Sequence, residues 1–184
     1  PDDPDVVYAL AGKASDEGFR GLYKSTNSGV SFSTQSTTPN VLGFDVDGQD
    51  QGGQASYDLA LTVSPIDADF VTVGGINQWQ SDNGGVNWYI ISHWIGAGGN
   101  PYIHADVHKI IHMDANPTTM FTCCDGGLYR SYDEGFTWND ISGNIAISQQ
   151  YSVGISASTP GRIFCGLQDI GTIETGNSSH PDSL

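Results

Sequence analysis

Ser131-Tyr132-Asp133-Glu134-Gly135-Phe136-Thr137-Trp138 is the third appearance of one eight-residue pattern in this chain. Ser81-Asp82-Asn83-Gly84-Gly85-Val86-Asn87-Trp88 is the second and Ser25-Thr26-Asn27-Ser28-Gly29-Val30-Ser31-Phe32 the first. The template is Ser-x-Asp/Asn-x-Gly-x-Ser/Thr/Asn-aromatic, and the leading serines lie 56 (81 − 25) and 50 (131 − 81) residues apart. An Asp or Asn side chain in such a place bonds backbone amides two residues on. The Gly permits positive φ, and the next polar side chain closes the loop. The final Trp or Phe re-enters a strand and brings packing area with it. The octet therefore reads as a hairpin turn locked by its own side chains.

Outward from each octet the surroundings repeat as well. Proline-led turns stand at Pro4-Asp5, Pro65-Ile66-Asp67, Asn116-Pro117-Thr118 and Thr159-Pro160-Gly161. The pattern predicts a strand after each of these turns (6–10, 70–73, 120–123, 163–165). A second strand leads into each octet (21–24, 78–80, 128–130) and a third follows it (88–91, 138–141). One more precedes each later proline turn (57–63, 107–113, 151–156). Short strands at even spacing, polar turns and no helical period make an all-β chain. Four strands in a repeat of about 50 residues are the signature of a propeller blade. The expected fold is a β-propeller segment of about 3.5–4 four-stranded blades. Its expected parts are a partial blade over 1–38, blades over 39–92 and 93–142, a partial blade over 143–175 and a polar tail over 176–184. A closed ring takes 4–8 blades, and an open one leaves strand edges and apolar faces exposed. The expected partners are the remaining blades, from the same parent chain or from other subunits.

Composition narrows the function classes. Six Lys and Arg against 21 Asp and Glu give a net charge of −15. So few cations cannot neutralise a row of phosphates, which argues against nucleic acid. No apolar run nears the roughly 20 residues of a membrane helix. The Gly-rich, aromatic-rich, lysine-poor composition suits a secreted all-β protein, and the acidity keeps it soluble. An opening at Pro1-Asp2-Asp3-Pro4 in place of Met points to a removed leader or to a piece of something longer. Cys123, Cys124 and Cys165 make an odd count. Either neighbour can bridge to Cys165 and leave one free thiol, or all three are reduced.

The octets match the Asp-box, or bacterial neuraminidase repeat, of sialidases, xyloglucanase-type glycoside hydrolases, sortilin-like receptors and a photosystem assembly factor. The segment 52–61 (Gly-Gly-Gln-Ala-Ser-Tyr-Asp-Leu-Ala-Leu), His104-Ala105-Asp106-Val107-His108 and Asp125-Gly126-Gly127-Leu128-Tyr129-Arg130-Ser131 resemble secreted sortilin-like propellers of Bacteroidetes-type bacteria. Gly166-Leu167-Gln168-Asp169-Ile170-Gly171-Thr172 resembles that family's Gly-x-Gln-Asp-Asn-Gly-Thr, with Ile170 in place of the usual Asn. The resemblance covers about residues 40–173. It implies a secreted or cell-surface bacterial protein exported across the outer membrane. It also implies that the octet residues lie on the outer rim, away from the channel where ligands bind. By that reading Ser25, Asn27, Gly29, Phe32, Ser81, Asn83, Gly85, Trp88, Ser131, Asp133, Gly135 and Trp138 are structural.

Three clusters are candidates for chemistry. Read as one strand, His104, Asp106 and His108 share a face with His112, and His93 lies upstream. Two imidazoles and a carboxylate there suit a transition metal, or else a polar network. Asp45, Asp47 and Asp50 alternate around Gly48 as in a calcium loop, without the full twelve-residue pattern. Asp125 and Asp169 each precede a turn glycine or its neighbour, and two carboxylates at one channel mouth are what a glycoside hydrolase uses. Trp79, Trp94 and Tyr102 are its aromatic platforms in that case. Arg20, Arg130 and Arg162 are too scattered for the carboxylate clamp of a sialidase. Every strong motif builds blades and none is a complete active site. The expected function is therefore a non-catalytic scaffold or binding module for glycan, protein or self-assembly. The alternative is a glycoside hydrolase propeller of which this is a fragment.

Overall fold

The computed structural model describes residues 2–143, 145, 148–159, 161–168 and 171–175. It divides into two compact units, residues 1–142 and 143–184. The first holds three antiparallel sheets. Strands β1 (Val7–Gly12), β2 (Phe19–Ser25) and β3 (Ser33–Ser36) form one. Strands β4 (Ala60–Ser64), β5 (Asp67–Gly74), β6 (Gln78–Ser81) and β7 (Tyr89–Ser92) form the second in simple meander order. Strands β8 (Val107–Met113), β9 (Asn116–Cys124), β10 (Gly127–Ser131) and β11 (Asn139–Asp140) form the third. In the second unit β12 (Gln150–Ile155), β13 (Ile163–Leu167) and β14 (Gly171–Glu174) make a sheet of their own. Among the described residues the only helix is a 3-10 turn at Ala97–Gly99.

The three octets close in the same way, with one change from the expected chemistry. The leading serine is the hub. Its Oγ accepts the amide of the octet glycine (Gly29 2.9 Å, Gly85 2.8 Å, Gly135 2.8 Å) and donates to the Asn or Asp side chain. That side chain accepts an amide four residues on, not two: Ser31 at 2.9 Å, Asn87 at 2.9 Å and Thr137 at 2.8 Å. The fourth and fifth octet residues both take positive φ, which carries the chain round the turn and explains the fixed glycine. The fourth residue's amide then ties the turn to the start of the preceding strand or the turn before it: Ser28 donates to Asp5 O, Gly84 to Asp69 O and Glu134 to Thr118 O.

Packing joins the sheets of the first unit. Phe19 and Leu22 of the first sheet, Val71, Val73 and Trp79 of the second, and Val41 and Leu42 of the connecting loop form one core cluster. Ala60 of β4 with Val107, Ile110 and Met120 of the third sheet forms another. Octet glycines lie in these seams: a Cβ on Gly85 would run into Leu22, and one on Gly135 would sit 2.8 Å from Ile91 Cδ1. Trp88 adds a hydrogen bond from Nε1 to Ser36 Oγ at 2.9 Å. All three cysteines are free thiols, and burial pushes the Cys124 thiol up to about 11.

Candidate functional site

Antiparallel register decides which loops meet. Val107 at the start of β8 pairs with Cys124 at the end of β9. The 104–106 lead-in and the 125–126 turn therefore meet at one end of the third sheet, while its octet caps the other end of β10. A Cβ on Gly126 would collide with the His104 ring, so glycine is needed where these two loops touch. The segment leading into β4 reaches the same place from the second sheet.

Asp125 is the centre of this end. Its Oδ1 lies 2.6 Å from His108 Nε2 and its Oδ2 accepts the Tyr57 hydroxyl at 2.6 Å. The Tyr57 and His108 rings meet edge to face, 5.1 Å between centroids. The Asp125 side chain is 15% exposed and that of His108 40%, so the pair is reachable from solvent. Burial works to raise the Asp125 carboxyl. The hydrogen bonds from Tyr57 and His108, with the fields of His108 and His104, outweigh it and hold the group below the usual carboxylate range.

Beneath this pair lies a residue that the sequence did not mark. Asp58 is 1% exposed, and neither carboxylate oxygen makes a hydrogen bond. Burial, followed by repulsion from Asp106 and then from Asp125, pushes it up to about 8. Asp106 in turn accepts Gln54 Nε2 at 2.9 Å. The outcome is one ionised carboxylate at the surface and one protonated carboxyl sealed below it.

The other candidates fall elsewhere. His104, Asp106 and His108 do not share a strand face, because β8 starts only at Val107 and Asp106 takes φ 68°, which breaks the two-residue period. Each side chain is committed separately: His104 Nδ1 lies 3.2 Å from Ala105 O, Asp106 receives Gln54, and His108 serves Asp125. His112 lies near the opposite end of β8 and bonds Pro117 O at 2.8 Å. His93 is buried, with Nε2 3.1 Å from Phe44 O. Asp47 and Asp50 cap backbone amides of their own loop, Gln49 at 3.1 Å and Phe44 at 2.6 Å, and Asp45 is exposed. Among the described residues no three His, Cys, Asp or Glu side chains converge as a metal site. Trp79 is no platform, being 3% exposed in the core, whereas Trp94, Tyr102 and Phe44 are exposed. Arg130 stacks on Tyr132 with 4.4 Å to the ring centroid, and Arg162 pairs with Glu174 in the second unit. Asp169 lies outside the described residues.

Sheets of three and four antiparallel strands in meander order, the first three each carrying an octet hairpin, are β-propeller blades. The comparison with solved structures agrees. The GH74 xyloglucanase of Xanthomonas campestris superposes on 91% of this chain with a TM-score of 0.58 at 18% identity. The GH74 enzyme of Niastella koreensis matches 90% of the chain at 20% identity and a TM-score of 0.49. YCF48 bound to D1 peptide matches 97% at 9% identity and a TM-score of 0.42. The likeness to the Xanthomonas enzyme shows the fold alone. This chain spans about a quarter of the length of the two GH74 structures, 26% and 24%. No protein-family model matches the sequence, and no curated protein matches it.

Proposed function

We propose that this chain supplies blades of a larger, secreted or cell-surface propeller that binds its ligand without hydrolysing it. The site is the end of the sheets carrying Tyr57, His108 and Asp125, with the exposed rings of Phe44, Trp94 and Tyr102 on the neighbouring loops. The observation that carries this reading is the accessibility of the two carboxyl groups. Glycoside hydrolysis needs both an ionised and a protonated carboxyl at the scissile bond. The protonated one, Asp58, is 1% exposed and cannot touch a substrate. The ionised one, Asp125, has a hydrogen-bond partner on each oxygen. Fixed polar groups beside exposed aromatic rings are the makings of a recognition surface. A glycan suits it best: flat sugar faces stack on rings, and their hydroxyls pair with the Tyr57, His108 and Asp125 groups.

A hydrolytic reading has one observation in its favour, the separation of the two carboxyl groups into an ionised and a protonated state. Turnover assays on a glycan panel separate the readings. The binding account expects retention on immobilised β-glucans and xyloglucan with no reducing ends released. Release of reducing ends that Asp125→Asn abolishes is the hydrolase result.

A further inference from the structure

The exposed rings of Phe44, Trp94 and Tyr102 stand on backbone that is tied down. The Phe44 amide donates to Asp50 Oδ2 at 2.6 Å, and the Phe44 carbonyl accepts Asn77 Nδ2 at 3.1 Å. Asn77 Nδ2 also donates to Gly43 O at 3.0 Å, and Asn77 Oδ1 accepts the Trp94 amide at 3.0 Å. Tyr102 pairs with His93 in a parallel bridge, and His93 N donates to Pro101 O at 2.9 Å. The two loops touch again further on, where a Cβ on Gly98 would sit 3.1 Å from Val46 Cγ2. Gly75 O, in the turn that carries Asn77, accepts the Val107 amide at 2.9 Å. The loops therefore lie at the end of the second sheet that meets the start of β8, the end where Asp125 stands.

His93 sits at the crossing. Its Nδ1 lies 3.2 Å from the Ile95 amide nitrogen and 3.3 Å from that of Ala97. Both partners are N–H donors, so Nδ1 carries the lone pair. In a neutral imidazole the other ring nitrogen then carries the hydrogen. That nitrogen, Nε2, is 3.1 Å from Phe44 O, an acceptor. One ring thus holds the 93–97 turn through one nitrogen and the Phe44 loop through the other. His93 is 3% exposed and Asn77 1%, so neither side chain can reach a ligand.

We propose that His93, neutral with its hydrogen on Nε2, is a positioning residue: with Asn77 it locks the Phe44 loop to the 93–102 loop and sets the three rings before a ligand arrives. A surface ordered in advance gives up less conformational entropy when it binds. The effect on a ligand rests on the binding reading. The tautomer and the lock do not.

Two substitutions separate the halves of the lock. His93→Asn puts a carbonyl oxygen near the place of Nδ1 and nothing at that of Nε2. His93→Gln reaches the place of Nε2 with an amide and leaves no acceptor at that of Nδ1. If His93 served for bulk alone, the two variants would behave alike.

The test has three readouts. Long-range proton–nitrogen NMR spectra of the wild type at neutral pH, with isotope-labelled histidine, should show a bare Nδ1 and a protonated Nε2 for the ring that is missing in His93→Asn. Amide exchange at Ile95 and Ala97 should stay slow in His93→Asn and become fast in His93→Gln and His93→Ala, with amides of β5 and β9 unchanged as the control for folding. Retention on immobilised xyloglucan should weaken about tenfold in His93→Ala, the effect of ordering a side chain or two anew. A hydrogen on Nδ1, equal exchange at Ile95 and Ala97 in all the proteins, or wild-type retention by His93→Ala overturns the proposal. If His93→Ala does not fold, the wild-type spectrum and the contrast of His93→Asn with His93→Gln decide. A wild type that xyloglucan does not retain overturns the binding reading and the ligand effect with it. The spectrum and the exchange pattern use no ligand and then decide the lock by themselves.

Discussion

The first octet and the two that follow share their serine-centred closing bonds and differ in surroundings. Gly85 and Gly135 are buried against Leu22 and Ile91 of the preceding sheet, whereas the only atom near a Cβ on Gly29 belongs to Phe32 of its own turn. Trp88 reaches back to Ser36, while Phe32 is exposed. Serine, Asx and glycine make the same closing bonds at all three turns although the neighbours of the glycine differ. What the octet contributes to the propeller is a separate property, a glycine thin enough to admit an aliphatic side chain from the sheet before.

That comparison can be broken by substitution. The largest effect is expected at Leu22, fully buried in the first seam: Leu22→Ala should cost about 2–5 kcal/mol in chemical denaturation. Next comes a paired test. Gly85→Ala meets both the left-handed backbone and the Leu22 side chain and should cost about 2–4 kcal/mol. Gly29→Ala meets the backbone strain alone and should cost about 1–2 kcal/mol. Equal losses at the two glycines would show that the seam contributes nothing. Trp88→Phe keeps an aromatic face but loses the bond to Ser36 and the rest of the indole, for a loss of about 1–3 kcal/mol in the same assay.

The smallest effect sharpens the comparison by pH. Asn27 and Asn83 cannot titrate, but Asp133 can. Burial works to raise its carboxyl, and the Thr137 hydroxyl and amide with the Ser131 hydroxyl outweigh it and hold it low. The stabilisation is present above the unfolded value of about 3.9 and is lost as pH falls through the lower folded one. Asp133→Asn should flatten the acid limb of the stability–pH curve, read by urea midpoints from about pH 5 to about pH 2. An unchanged limb would mean that the third octet draws nothing from its charge.

Much of the fold was legible because it is written locally. Octets and strands sit within a few residues of the bonds that explain them, as do the turns at Pro4-Asp5 and Pro65-Ile66; Asn116-Pro117-Thr118, read as a turn, opens β9 instead, with the turn at Asp114-Ala115, and Pro160 lies outside the described residues. The site was legible only in part. Asp125 was visible as a carboxylate before a turn glycine. The shared face of His104, Asp106 and His108 does not form, because a period of two holds only in continuous strand, whereas β8 starts at Val107 and Asp106 takes φ 68°. Asp58 gave no sign of its role. It lies where segment 52–58 meets loops of the next sheet, and only the burial of Asp58 and Ala60 on alternate positions carries a trace of it. Trp79 looked like a platform because composition does not reveal that β6 is covered on both faces; all four of its residues are buried.

The most direct test of the account is a binding isotherm on immobilised xyloglucan and β-glucans for the wild type and Asp125→Asn, with released reducing ends measured in the same wells. The account predicts retention by the wild type, loss of retention in the variant and no product from either. Product formed by the wild type and absent from the variant would contradict it.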